Sequence, residues 1–181
     1  MNRLPTSYTR MADVTYRHAE KDDCDEIMRL IKELAVFENL VHQVNITSET
    51  LKRDGFGEEK LFHCIVAEEK ATSGAGADTS QLIGYLLYFW SYATFTGRVL
   101  YVEDLYVSQN NRRKGVASAL WAFAMKVAVA KECRRMQWVV LDWNTDAIRF
   151  YQKMGAVNLS KKEGWLIYRL NEDDIKAALT L

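Results

Sequence analysis

The chain has 181 residues, 49% of them hydrophobic and 12% aromatic, enough apolar material for one buried core and too much for a disordered chain. Its 24 basic and 24 acidic side chains cancel, so no bulk field draws it to nucleic acid, and a charged ligand must be met by local clustering. The longest apolar run, Leu82–Trp90 interrupted by Gly84, is too short to span a bilayer, and no membrane partner is expected.

Cys24, Cys64 and Cys133 are odd in number and far apart. They fit neither a disulfide framework nor a metal-ligand spacing, and read as reduced, buried thiols of a cytoplasmic protein. His18, His42 and His63 show no paired spacing, so no metal site is expected. Residues 1–13 carry Arg3, Thr6, Ser7, Thr9 and Arg10 but no apolar signal core, and Asp13 counts against targeting. They are expected as a flexible N-terminal extension to a single domain over residues 14–181.

Val14 to Arg17 reads as a strand, after which Asp22 or Asp23 is placed to cap a helix. Ile27, Leu30, Ile31, Leu34 and Ala35 give that helix one apolar stripe through about residue 37. Thr47, Thr50 and Leu51 indicate a second short helix, stopped at Gly55 and Gly57. Leu61 to Glu68 reads as a strand, and the small, polar stretch from Ala71 to Ser80 as a surface loop. Leu82 to Tyr92 and Arg98 to Val107, with a turn at Thr96-Gly97, form a hairpin.

In the second half, Val116, Leu120, Phe123, Val127 and Ala130 mark a long amphipathic helix. Gln137 to Leu141 is apolar and β-branched, as in a buried strand. A helix from Asp146 to Met154, closed by Gly155, is followed by expected strands at Ala156–Leu159 and Trp165–Leu170 and a helix over 171–179. The order indicates a mixed α/β sheet with helices on both faces.

The chemistry-bearing feature is strand, turn, helix: Tyr101-Val-Glu-Asp-Leu-Tyr-Val107, then Arg112-Arg-Lys-Gly-Val-Ala117. A helix N-terminus has unpartnered N–H groups and partial positive charge, and a phosphate satisfies both. Gly115 permits close approach or positive φ, Ala117 leaves the amides open, and Arg112, Arg113 and Lys114 add charge. The chain lacks the Gly-Lys-Ser/Thr of a P-loop and the Gly-x-Gly-x-x-Gly of a dinucleotide fold. An ordinary basic helix start remains the competing reading of the turn alone.

Arg112-x-x-Gly115-x-Ala117 resembles the acetyl-CoA pyrophosphate motif of the GCN5-related N-acetyltransferase (GNAT) superfamily. Arg29-Leu-Ile-Lys-Glu-Leu-Ala35, Asp54-Gly-Phe-Gly57, His63-Cys-Ile-Val-Ala67, Glu103-Asp104, Trp143-Asn144, Phe150-Tyr151 and Glu163-Gly-Trp165 resemble its diamine (spermidine/spermine) N-acetyltransferase family, over about residues 14 to 170. Phe37-Glu38 and Val140-Leu-Asp-Trp-Asn144 are similar to the thialysine acetyltransferase branch. The resemblance implies a mixed, mostly antiparallel sheet of 6–7 strands flanked by helices, with a V-shaped opening between strands 4 and 5. It implies acetyl-CoA as cosubstrate, a small amine acceptor and a homodimer. Leu105, Tyr106 and Val107 would pair with pantetheine as a partial strand. Arg112, Arg113, Lys114, Gly115, Val116, Ala117 and Ser118 would hold the pyrophosphate, with Asn144, Ala147 and Tyr151 completing the cofactor set.

Acetyl transfer needs a neutral amine, a stabilised oxyanion and a proton for the leaving thiolate. Glu103, at the end of the strand before the turn, is the candidate base, working through water. Adjacent Glu103 and Asp104 point to opposite faces of a regular strand, and the bulge that the family carries there changes which one meets the cleft. Tyr151 matches the family's tyrosine at the CoA sulfur, although Phe150 and Tyr151 also fit an ordinary packed helix face. Asn144 sits where a helix N-cap belongs as well. Phe37, Glu38, Glu103, Asp104, Glu163 and Trp165 match the acceptor positions, with Asp142 adding negative charge. Phe37 replaces the polyamine branch's Tyr, and Asn39–His42 is less acidic than in that branch, so a short lysine-like acceptor such as thialysine is expected on equal terms with a di- or polyamine. The rivals are a GNAT enzyme for protein amines and a non-catalytic acyl-CoA-binding module.

Overall fold

The computed structural model describes residues 8–11, 14–71 and 79–180. They fall into two compact units, divided after Val139. The first holds β1 (Tyr8–Met11), β2 (Val14–His18), α1 (Cys24–Glu38), α2 (Ser48–Phe56), β3 (His63–Ala71), β4 (Thr79–Ala93), β5 (Gly97–Val107), α3 (Val116–Ala130) and β6 (Arg135–Gln137). The strands form a six-stranded sheet in sequence order, antiparallel from β1 to β5, with β6 joining β5 in parallel. Most of the segment expected as a loop at 71–80 lies outside the described residues, as does most of the expected N-terminal extension. Within the latter, Tyr8–Met11 pairs with β2.

The expected stripe of α1 is the buried one: Ile27, Leu30 and Ala35 are buried, and Ile31 and Leu34 pack against a cluster with Leu51, Val66, Leu82, Tyr85 and Tyr106. Asp23 does not cap α1 with its side chain. Its backbone is already helical, and its carboxylate accepts the Glu20 N–H at 2.7 Å and takes both Arg17 guanidinium nitrogens. The cap expected at Thr47 is present, its Oγ accepting the Thr50 N–H at 3.2 Å. α2 continues through Gly55, where a Cβ would stand 2.5 Å from the Phe62 ring.

Tyr85 faces α1, so its neighbours Gly84 and Leu86 face the other side of the sheet. There α3 buries Val116, Leu120, Phe123 and Val127, while Ala130 lies exposed at its end. At Gly84 the backbones crowd: a Cβ there would be 2.8 Å from the Tyr106 carbonyl and 3.4 Å from Leu120. The hairpin turn closes with the Thr96 N–H on Ala93 at 3.0 Å and Gly97 at φ 98°.

Two features shape the far edge of β5. Leu87 pairs with Asp104 and Tyr88 with Val102, so Glu103 is the extra residue of a β-bulge. β6 pairs with β5 only from Val99↔Arg135 to Tyr101↔Gln137. The strand expected over Gln137–Leu141 is therefore shorter and earlier, its pairing ending at Tyr101, two residues before the bulge at Glu103. From Val102 to Val107 this edge has no strand beside it among the described residues. This is the opening expected between the fourth and fifth strands, here β5 and β6.

The second unit contains α4 (Thr145–Lys153), α5 (Leu159–Glu163) and α6 (Glu172–Ala178). The strands expected at Ala156–Leu159 and Trp165–Leu170 are not formed. Residues 157–180 are exposed, and a strand without a neighbour leaves its N–H and C=O groups unpaired. Local signals prevail instead. Asn158 accepts the Lys161 N–H at 3.0 Å to start α5, and Gly164, at φ 78°, ends it.

Candidate active site

The turn after β5 is braced by side chains. Ser108 Oγ and Asn111 Oδ1 are 3.1 Å apart, and buried Asn111 donates to the Glu69 carboxylate at 3.3 Å. Arg112 Nε donates to the Val107 carbonyl at 3.0 Å, with its guanidinium 4.6 Å from the centre of the Phe37 ring and 5.4 Å from that of Tyr106. Arg112 thus holds the turn against α1 with its side chain, and Phe37 meets Arg112. Arg113, at φ 63°, and Lys114 are exposed. Gly115 is the N-cap of α3 at φ 84°, and no side chain caps this end. Ala119 N–H already bonds the Gly115 carbonyl at 3.1 Å, so the anion-binding groups of the first turn are the amides of Val116, Ala117 and Ser118. This residue set fits a phosphate group.

Leu105, Tyr106 and Val107 pair with β4 on one edge and border the opening on the other. The buried Tyr106 donates its hydroxyl to Glu33 at 3.2 Å. Beside it, α1 and the turn line an open groove of about 1010 Å³ that includes Arg29, Lys32, Phe37, Tyr106 and Arg112.

Upstream, the bulge presents acid. Glu103 is exposed, whereas Asp104 is half-buried and accepts the Tyr85 hydroxyl at 2.9 Å. Burial pushes the Asp104 carboxyl up to about 6. Glu103 and Glu38 add to that rise, and the Tyr85 hydrogen bond opposes it. Glu38, in the last turn of α1, is also raised by burial. Glu38, Glu103 and Asp104 therefore share one electrostatic neighbourhood, suited to a cation or a proton in transit.

In the second unit, Asn144 is the N-cap of α4 and accepts the Ala147 N–H at 3.2 Å. Tyr151 is half-buried on α4, its ring edge-on to Phe150 at 5.4 Å. Glu163 and Trp165 come together, the indole N–H donating to the carboxylate at 2.8 Å, and both are exposed. Sequence reasoning missed Tyr85. The available signal was strand alternation: Tyr85 lies two residues before Leu87 on one face, and Leu87 is the register partner of Asp104.

Residues 24–156 match the model of the acetyltransferase (GNAT) family. The chain is 42% identical over 166 residues to the mouse thialysine N-epsilon-acetyltransferase, covering 92% of this chain and 97% of that protein. It is 37% identical over 167 residues to the human spermidine/spermine N(1)-acetyltransferase-like protein 1, covering 92% of this chain and 24% of that protein. An integron cassette protein from the mobile metagenome of V. cholerae shares the fold at a TM-score of 0.71 and 19% identity, covering 93% of this chain and 99% of that one. With its amide-lined turn, its acidic bulge and these likenesses, the chain belongs to the GNAT family and is an acetyltransferase with acetyl-CoA as donor.

Proposed function

We propose that the chain transfers acetyl from acetyl-CoA to a primary amine of a small lysine-like or short diamine acceptor, with residues 14–181 acting as one catalytic domain. The observation that carries this reading is the acidic bulge at Glu103-Asp104, on the edge of β5 that β6 leaves open. The likeness to a thialysine acetyltransferase over nearly the whole chain supports a lysine-like acceptor.

A lysine-like amine with a pKa near 10.4 costs about 4 kcal/mol to neutralise near pH 7.4. In this reading Asp104 and Glu38 hold the ammonium form, and exposed Glu103 receives its proton through water. The amides of Val116, Ala117 and Ser118 hold the pyrophosphate, with Arg113 and Lys114 supplying charge. The open edge at Leu105–Val107 takes the pantetheine amides as a partial strand. Attack of the neutral nitrogen on the thioester carbonyl forms the new C–N bond, and collapse breaks the C–S bond and expels the CoA thiolate, which takes up through water the proton that the nitrogen loses in becoming an amide. Tyr151 assists that departure by hydrogen bonding. Full proton transfer from a phenol near 10 to a thiolate near 8.5 is uphill. Asn144 and Ala147 are assigned to the cofactor, and Glu163 with Trp165 to the acceptor's far end. Among the described residues the three cysteines form no disulfide and no helix is long and apolar enough to cross a membrane, and we read the enzyme as a cytoplasmic homodimer.

The test is CoA release from acetyl-CoA with thialysine, lysine, putrescine, spermidine, spermine and a lysine peptide. Thialysine or a short diamine is expected to be turned over best. Turnover with none of them, at intact acetyl-CoA binding, sinks the reading, and preference for the peptide transfers it to protein amines.

A further inference from the structure

The Tyr85 side chain is fully buried in the sheet, under α1. Its hydroxyl reaches outward along that face to Asp104, the one acidic residue of β5 on the same side as Tyr85 and Tyr106. We propose that Tyr85 is a positioning residue for the acceptor: it fixes Asp104 through one carboxylate oxygen and leaves the other for the acceptor's ammonium group. This rests on the amine-acetyltransferase reading above.

The geometry explains why a buried strand position carries a tyrosine. A carboxylate approached by Glu103 on its own strand and Glu38 from α1, with the buried thiol of Cys64 on β3, has like charge or apolar neighbours on those sides. Tyr85 is the donor that the structure gives it. A donor to the ionised form favours ionisation, so the hydroxyl works against the burial that raises the Asp104 carboxyl. It also removes the freedom of the carboxylate to rotate, which orders the site before the acceptor arrives.

Tyr85→Phe deletes the donor and keeps the ring. The acid limb of kcat/KM for the acceptor should move up by about one pH unit, equivalent to about 1.4 kcal/mol. KM should rise about twofold at pH 7 and approach tenfold below pH 6, kcat should change little, and the deficit should shrink at alkaline pH. A tyrosine that only packs lowers the rate equally at every pH. An infrared titration of the Asp104 carboxyl, assigned by difference from Asp104→Asn, gives the same midpoint without turnover. It still decides the Tyr85–Asp104 coupling if the wild-type protein acetylates no amine, a result that removes the acceptor reading alone. An unmoved midpoint in Tyr85→Phe overturns the proposal. So does an acid limb whose midpoint is unchanged in Asp104→Asn, a second variant that keeps an oxygen for Tyr85.

Discussion

Tyr151 and Gly115 carry the two most direct tests at the scale of single residues. If Tyr151 eases the departure of the thiolate, Tyr151→Phe lowers kcat by about 10- to 100-fold, the range of one well-placed donor, with the acetyl-CoA dissociation constant within about twofold of wild type. Single-turnover kinetics and calorimetric binding separate the two, and an unchanged kcat removes Tyr151 from the chemistry. Gly115 stands at φ 84°, at a helix start with no side-chain cap. Gly115→Val places a β-branched side chain in the left-handed region and beside the amides, so it should cost about 1–3 kcal/mol of stability and weaken acetyl-CoA binding at least tenfold. Gly115 was legible in sequence as a helix start that permits positive φ, which is where the structure has it. Arg112 was legible as a motif position but not in its role. Its charge pointed to a ligand contact, and the structure adds a bracing role against Val107, Phe37 and Tyr106. No local pattern encodes which partner a long cation chooses across the fold.

Among the elements, β4 and β5 decide the site, and their close approach is testable at Gly84. A Cβ there meets the Tyr106 carbonyl at 2.8 Å and Val107 at 3.3 Å, both on the edge proposed for pantetheine. Backbone cannot yield as a flexible side-chain tip does. Gly84→Ala is therefore expected to cost about 1–3 kcal/mol by overpacking, read as a lower urea midpoint. It should also raise the KM for acetyl-CoA by displacing Tyr106 and Val107. The central hairpin and both long helices of the first unit were legible, because burial imposes a period on their sequences: Ile27, Leu30 and Ala35 in α1, Leu120, Phe123 and Val127 in α3. Trp165–Leu170 shows the limit of that logic. Its apolar run has the composition of a strand, yet pairing needs a neighbour, which composition does not supply. The bulge at Glu103 was equally invisible to spacing. It entered only through the family resemblance, since one extra residue on one strand leaves no mark in the other.

Across the whole molecule, two half-buried acids set opposite pH dependences of stability. Asp23 is held low by Arg17, despite its burial. A depressed carboxyl contributes stability above its unfolded value and loses it on acidification. Asp104 is the reverse case. Its folded value of about 6 lies above the ordinary value of 3.8, so it costs the fold nothing below about pH 4, and the cost builds as pH rises from 3.8 to about 6 and is complete above about 6. The gross cost at neutral pH is about 3 kcal/mol by the size of the shift, and about 1–2 kcal/mol once solvent screening of this half-buried group is allowed for. Asp104→Asn removes the liability and still offers Tyr85 an oxygen. The variant should be more stable than wild type by about 1–2 kcal/mol at pH 7.5, with the gain vanishing near pH 4, in paired urea titrations. Its kcat/KM for the acceptor should fall by at least 100-fold at pH 7.5, where wild-type Asp104 is ionised. A carboxylate kept charged against the preference of its surroundings is stability given up for a cation site. If Asp104→Asn proves less stable than wild type at pH 7.5, Asp104 is a structural ion and its place in the acceptor site is lost.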